Sequence, residues 1–179
     1  GIRDHCVTGV QTCALPICSS TGTCEELAGK IAAALGLDDS AVINVSELTP
    51  ETISENEALI LGSATWGCGE LQDDWYDGVK VLQSADLNGK IVALFGCGDS
   101  ESYGDTFCDA IGLLYQEIKD KGCTLTGHGI STDGYLHTDS VALDAEGNFL
   151  GLALDEVNQP ELTDSRIAAW TEQIAPALQ

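Results

Sequence analysis

The chain predicts an α/β fold of the doubly wound kind, a parallel sheet with helices on both faces. Helical and strand periodicities alternate from Ser19 onward, and that alternation builds parallel sheets through crossover helices. Residues 91–95 are an uninterrupted apolar run, the mark of a strand covered on both faces. A length of 179 residues with 44% apolar content suits one domain with a real core.

The first seventeen residues differ in character from the rest. They contain no Glu, no Lys and no helical periodicity. They resemble the translation of a sequencing-library index adapter: residues 1–4 match its opening codons, His5 and Cys6 its index, and residues 7–17 its remainder. The adapter's final T would begin codon 18 and turn a glycine codon into that of Cys18. The expectation is therefore a non-native, adapter-derived segment over 1–17 and a domain over 18–179, with a first strand missing upstream of Ser19. Ala14, Leu15, Pro16 and Ile17 form an apolar run that could take its place, although Pro16 has no N–H and fits a central strand badly.

The remaining elements follow from spacing. Leu27, Ile31, Ala34 and Leu35 predict a helix over 24–35 ended by Gly36. A short strand is expected at 41–45 and another at 58–61, opening into a loop over 62–69. Trp75, Val79 and Leu82 place a helix over 71–85, with Trp75 in the core. Phe107, Ala110, Ile111, Leu114 and Ile118 make the next helix, stopped at Gly122. Strands are expected at 124–130 and 150–154. The polar, Gly- and Asp-rich residues 131–149 between them read as an excursion at the sheet edge. Thr163 or Asp164 is expected to cap a last helix through Ile167, Trp170, Ile174 and Leu178, with Pro176 fraying or kinking its end.

Composition excludes several functions. There are 29 acidic against 7 basic side chains, a formal net charge of −22, which repels nucleic-acid phosphates and anionic lipid and attracts basic protein faces. No apolar run approaches the roughly 18 residues of a membrane span. The eight cysteines, Cys6, Cys13, Cys18, Cys24, Cys68, Cys97, Cys108 and Cys123, show no CxxC pair, so they read as reduced thiols of a cytoplasmic protein. Cys108 and Cys123 are expected as buried small hydrophobes. His128 and His137 have no ligand-spaced partner, so no metal is expected.

In such a sheet, ligands bind beyond the carboxyl ends of the strands. One loop there is Ser19, Ser20, Thr21, Gly22, Thr23 and Cys24, running into a helix amino terminus able to hold an anion on backbone N–H groups. It lacks the Lys of a nucleotide-triphosphate loop. A second loop carries Trp66 among small residues, and a third runs from Gly96 to Gly104 with Tyr103. A phosphate cradle beside two aromatic residues fits a flat aromatic ring on a phosphorylated tail.

Those stretches closely resemble the flavodoxin family in its long-chain form, one of the standing examples of the switch-point rule. The likeness spans 19–179. It rests on residues 19–22, on Thr65, Trp66, Gly69, Glu70, Leu71 and Gln72, and on Phe95, Gly96, Gly98, Asp99, Tyr103 and Asp105. Residues 131–135 and 151–156 match the long-chain insertion and final strand. The resemblance implies a flavodoxin-like five-stranded parallel sheet with an insertion in the last strand. It implies a low-potential one-electron carrier with noncovalent FMN, not an enzyme, and no catalytic residue. Ser19, Ser20, Thr21, Gly22, Thr23 and Cys24 would hold the phosphate. Ala64, Thr65, Trp66, Gly67, Cys68 and Gly69 would form one wall, and Cys97, Gly98, Asp99 and Tyr103 the other, with Trp66 and Tyr103 sandwiching the ring.

Gly67 follows the stacking Trp where the family's carbonyl turns toward flavin N5, a turn that glycine makes cheap. Three positions depart from the pattern: Cys18 stands where a glycine is usual, Cys24 for Thr, and Cys97 for a frequent Thr. The implied partners are redox proteins, such as a flavodoxin or ferredoxin reductase and oxidoreductases with basic docking faces, served by a monomer. The alternative is an FMN-dependent NAD(P)H:quinone oxidoreductase of the same fold, which fold alone does not exclude.

Overall fold

A computed structural model describes residues 13–17, 22–66, 69–136 and 139–178. In chain order the strands are β1 (Cys13–Ile17), β2 (Val42–Asn44), β3 (Ala58–Trp66), β4 (Glu70–Leu71), β5 (Ile91–Cys97), β6 (Thr124–Thr126) and β7 (Leu152–Leu154). The helices are α1 (Thr23–Ala34), α2 (Pro50–Glu55), α3 (Asp74–Ser84), α4 (Asp109–Ile118) and α5 (Thr163–Ile174). The sheet runs β2-β1-β3-β5-β6 with every neighbour parallel.

The sheet has seven strands where five were expected, and both additions have a local cause. β4 turns back antiparallel on the end of β3, with Thr65 opposite Leu71. The final strand is split: β6 pairs with Ile91, Val92 and Ala93, and β7 pairs with Phe95, Gly96 and Cys97. β3 occupies the other edge of β5 along its whole length, so β6 and β7 are successive halves of one edge strand. Residues 131–149 leave between them as the expected insertion.

Burial alternates along the central strands as the pleat requires. Leu59, Leu61, Val92 and Leu94 face a core with Trp75, Leu82, Ile111 and Leu114 from α3 and α4. Ala58, Ile60, Ala93 and Phe95 face the opposite core with Leu27, Ile31, Ile167 and Trp170 from α1 and α5. Both core tryptophans find a carbonyl: Trp75 Nε1 donates to Gly62 at 2.8 Å and Trp170 Nε1 to Gly127 at 2.9 Å. A Cβ on Gly62 would stand 2.2 Å from the Phe95 ring, so the close approach of β3 and β5 side chains requires glycine there.

Several boundaries differ from expectation. The strand predicted at 58–61 continues to Trp66, because Gly62, Ser63 and Ala64 stay in register with Phe95, Gly96 and Cys97. The strand at 124–130 is only β6, and 150–154 only β7, since the chain between them leaves the edge. α2 was not foreseen; Thr49 caps it by accepting from Thr52 N–H at 3.2 Å, with Pro50 at its start. The fourth helix starts at Asp109, not near Phe107, because Cys108 before it adopts φ 54°. Thr163 is the first residue of α5 and does not cap it; its hydroxyl donates to Glu156 instead. Past Ile174 the chain tightens into a 3-10 turn, Ala175–Leu178, around Pro176. Cys108 is fully buried, but Cys123 is half-exposed, with its thiol donating to Ile118 O at 3.4 Å.

β1 occupies the place of a first strand. Leu15, Pro16 and Ile17 pair with Val42, Ile43 and Asn44, while Cys13, Ala14 and Ile17 pair with Ala58, Leu59 and Gly62. The apolar run in the adapter-like segment thus lies between β2 and β3, with Pro16 in its interior.

Candidate functional site

The strand order reverses between β1 and β3, which makes the carboxyl ends of the strands the place for a ligand. A cleft of about 390 Å³ opens there, lined by Thr23, Ala64, Thr65, Cys97, Gly98, Asp99, Tyr103, Thr106, Phe107, Cys108, Glu156 and Val157. That volume is in the range of small-molecule sites. Among the described residues no Lys or Arg lines it. Cations lie elsewhere: Lys30 pairs with Asp164 at 3.0 Å, Lys90 and Lys121 donate to Asn56 and Gln83 carbonyls, and Arg166 lies 3.8 Å over the Tyr135 ring. An anion in this cleft would rest on backbone N–H groups and neutral donors.

α1 enters the cleft end-on. Its N-cap is Gly22 at φ 87°, with no side-chain capping bond, a backbone geometry that glycine adopts without strain. Thr23 lines the cleft, and Cys24 is buried behind it. The Cys24 and Cys97 sulfurs are 3.4 Å apart, and Cys97 is itself a lining residue. From the next wall, Thr65 Oγ1 accepts from Ala110 N–H at 3.1 Å. Its hydroxyl therefore anchors the start of α4 against the end of β3 as well as lining the cleft.

The loop after β5 is held from two directions. Asp99 accepts from the N–H groups of Ser102 at 3.0 Å and Glu101 at 3.2 Å, and from Asn158 Nδ2 at 2.8 Å. Those bonds, with the Ser102 N–H foremost, hold its carboxyl below the usual range. Asp155, with no exposed surface, accepts from Ser100 N–H at 3.2 Å, Asn158 N–H at 2.9 Å and Asn158 Nδ2 at 3.0 Å, and from the Ser100 hydroxyl. Burial pushes the Asp155 carboxyl up, but the Ser100 and Asn158 donors outweigh it, so it also lies below the usual range. Asn158 thus bridges two carboxylates and ties the loop to the end of β7.

The insertion braces the same loop from the other side. Asp139 N–H donates to Gly104 O at 2.9 Å, Ser140 Oγ to Phe107 O at 2.5 Å, and Val141 N–H to Asp109 Oδ1 at 2.8 Å. Tyr135 packs edge-on against Phe149 and donates its hydroxyl to Ala153 O at 2.9 Å. Burial, only partly offset by Val141 and Ser140, pushes the Asp109 carboxyl up. Tyr103 stands at the rim with 52% of its surface exposed, beside Val157 at 66%.

Of the sequence-predicted site residues, Thr23, Ala64, Thr65, Cys97, Gly98, Asp99 and Tyr103 come together on the cleft. Gly22 and Cys24 stand at the helix end beside it. Gly69 is placed at φ 95° in the turn between β3 and β4, where a Cβ would stand 2.5 Å from Asp109 Oδ2; it is not among the lining residues. Ser19, Ser20, Thr21, Gly67 and Cys68 lie outside the described residues, as do Cys18 and His137; for Trp66 only the backbone, ending β3, is described. Thr106, Phe107, Cys108, Glu156 and Val157 were missed. The switch-point rule applied to the last strand would have found Glu156 and Val157, which follow β7. Phe107 carries helix-core periodicity and Cys108 reads as a buried small hydrophobe, which concealed their place in the loop. Among the described residues no group of three His, Cys, Asp or Glu side chains could hold a metal ion, and no helix is long and apolar enough to cross a membrane.

Comparison with known proteins gives consistent likenesses. A family model described as flavodoxin matches residues 18–170. Flavodoxin 1 of Escherichia coli K12 is 42% identical over 160 residues, covering 89% of this chain and 90% of that protein. The flavodoxin of Picosynechococcus is 44% identical over 160 residues, covering 89% and 93%. Among solved structures, Fusobacterium nucleatum flavodoxin bound to flavin mononucleotide superposes with a TM-score of 0.86 at 32% identity, covering 94% of this chain and 99% of that one.

Proposed function

Since the chain belongs to the flavodoxin family, we propose that it shuttles single electrons at low potential between redox enzymes, using noncovalent FMN held in the cleft. The observation that carries this reading is a switch-point cleft with a helix amino terminus, no cation among its described lining residues, and an exposed aromatic residue at its rim. The donor set suits the cofactor: N–H groups and hydroxyls for a phosphate, small residues and Tyr103 for a flat ring. FMN, when bound, supplies the group that takes up and releases single electrons.

Each part of the chain then has a task. Ser19, Ser20, Thr21, Gly22, Thr23 and Cys24 hold the phosphate without adding positive charge. Ala64, Thr65, Trp66, Gly67, Cys68 and Gly69 form one wall; Cys97, Gly98, Asp99 and Tyr103 form the other. Asp155 and Asn158 fix the loop that carries Asp99 and Tyr103. Asp99 and Glu156 bring carboxylates to the lining, and the whole chain carries −22. That field opposes a second negative charge on the ring and so favours a low potential.

The partners of this reading are a flavodoxin or ferredoxin reductase and oxidoreductases with basic faces, met by a monomer in the cytoplasm. Tyr103 and Val157 offer an apolar contact at the rim, and the surrounding carboxylates steer a basic face onto it. Residues 1–17 are read as adapter-derived sequence preceding a domain over 18–179. Supporting this are the codon match and Pro16 in a strand paired on both edges.

The test is titration of the purified full chain with FMN, then stepwise potentiometric reduction. Stoichiometric binding with a lower couple well below that of free FMN is expected; a couple near that of free FMN would refute the low-potential reading. NADH or NADPH with a quinone should give no fast turnover. Fast turnover would favour the quinone oxidoreductase instead.

A further inference from the structure

We infer that Cys24 and Cys97 are an oxidative modification site, a dithiol that a hydroperoxide closes to a disulfide under the cleft and that a thiol reopens. Their sulfurs already touch at 3.4 Å, so closure needs a movement of roughly 1.4 Å to reach a bond of about 2.0 Å. The residues are 73 positions apart and sit on different elements, the first turn of α1 and the last residue of β5. Cys97 lines the cleft, which gives a small oxidant its route in. Cys24 lies behind it, buried in the first turn of α1, so its sulfur meets Cys97 and not the oxidant.

The chemistry balances with a hydroperoxide as oxidant. The Cys97 sulfur attacks the terminal peroxide oxygen; an S–O bond forms, the O–O bond breaks, and the leaving oxygen carries off the Cys97 thiol proton as water or alcohol. The Cys24 sulfur then attacks that sulfenic acid. The S–S bond forms, the S–O bond breaks, and the thiol proton leaves with the hydroxide as water. Two thiols are oxidised and one peroxide is reduced. Neighbouring thiols are poorer candidates. The Cys108 thiol donates to Leu154 O and burial pushes it well above its ordinary value, and burial pushes the Cys13 thiol up to about 12.

Closure takes the Cys97 thiol donor from the cleft lining and draws the end of β5 toward α1. FMN affinity should therefore fall. This second effect rests on the function proposed above, whereas the disulfide does not.

The experiment treats the full chain with hydrogen peroxide, with and without added FMN, then alkylates free thiols and maps the peptides by mass. A peptide pair joined through Cys24 and Cys97, reversed by dithiothreitol and absent in Cys24→Ser and Cys97→Ser, is expected. The oxidised apoprotein should bind FMN about tenfold more weakly than the reduced one. By linkage, FMN should make the disulfide easier to reduce by about 30 mV in a glutathione redox buffer, the equivalent of tenfold for two electrons. Oxidation of Cys97 to sulfinic acid without a link, or a link to Cys108, overturns the site. A link that leaves FMN affinity unchanged overturns its effect on the cofactor. Failure of the reduced protein to bind FMN overturns the proposed function, while the linked peptide still decides the disulfide.

Discussion

β5 and β1 both flank β3, and both pair on a second edge, but they are made of unlike material. β5 has seven residues in unbroken register with β3, no proline, and apolar side chains feeding both cores. β1 has five residues, borders the three-residue β2, and carries Pro16 in its interior. All five β1 residues are nevertheless buried. Apolar burial can bring a short run into a sheet interior even where the backbone lacks a donor. Hydrogen-bonding capacity, not burial, separates a strand suited to the place from one that merely fills it.

The same truncation in each strand breaks or sharpens that contrast most strongly. Leu94→Ala should cost about 3–5 kcal/mol and Leu15→Ala about 2–3 kcal/mol in urea unfolding, both side chains having no exposed surface. The smaller figure reflects the short neighbour of β1, which lets the surroundings close over the cavity. Equal costs would remove the ranking.

The next test concerns what the carboxyl end of β5 is tied to. Asp155→Asn should cost about 2–3 kcal/mol, because the new amide hydrogens meet donors from Ser100 and Asn158. Asp155 has its folded pKa lowered, so its contribution is present above the ordinary carboxylate range and lost as pH falls through the folded value. The variant should accordingly show a shallower acid limb of stability against pH. An unchanged limb would mean that the carboxylate is not what holds the loop.

Tyr103→Ala tests the cleft that β5 presents. FMN should bind about tenfold more weakly, near 1.4 kcal/mol, from loss of the rim aromatic residue, with the unfolding midpoint of the apoprotein little changed. Fluorescence titration reads it; undiminished affinity would remove Tyr103 from the site. The smallest effect belongs to β1. Pro16→Val should restore a backbone donor and gain about 1 kcal/mol, raising the melting temperature by about 2–4 °C for a chain of this size. No gain would show that the ladder there does not use the missing N–H.

Much of this architecture was legible from local pattern. The apolar run at 91–95 marked β5, and the Ser/Thr-rich turn, the glycines and Tyr103 marked the loops that meet at the cleft. Other features were hidden for specific reasons. Gly62, Ser63 and Ala64 look like loop residues, yet they extend β3 because the Phe95 ring occupies the space a larger side chain would need. Phe107 fits a helical period and Cys108 reads as a small core residue, yet the left-handed backbone at Cys108 delays α4 and both line the cleft.

Periodicity, charge and turn residues in the sequence determined the layered α/β fold, the insertion in its last strand and the anionic, cation-free character of the site. Those signals act over a few residues, within the reach of a helical turn or a pleat. Tertiary structure alone decided that Pro16 lies in a strand paired on both edges, that Asp155 closes on Ser100 across 55 positions, and that the Cys24 and Cys97 sulfurs meet across 73. Such meetings depend on strand register and on how helices settle over the sheet, and no local pattern encodes either.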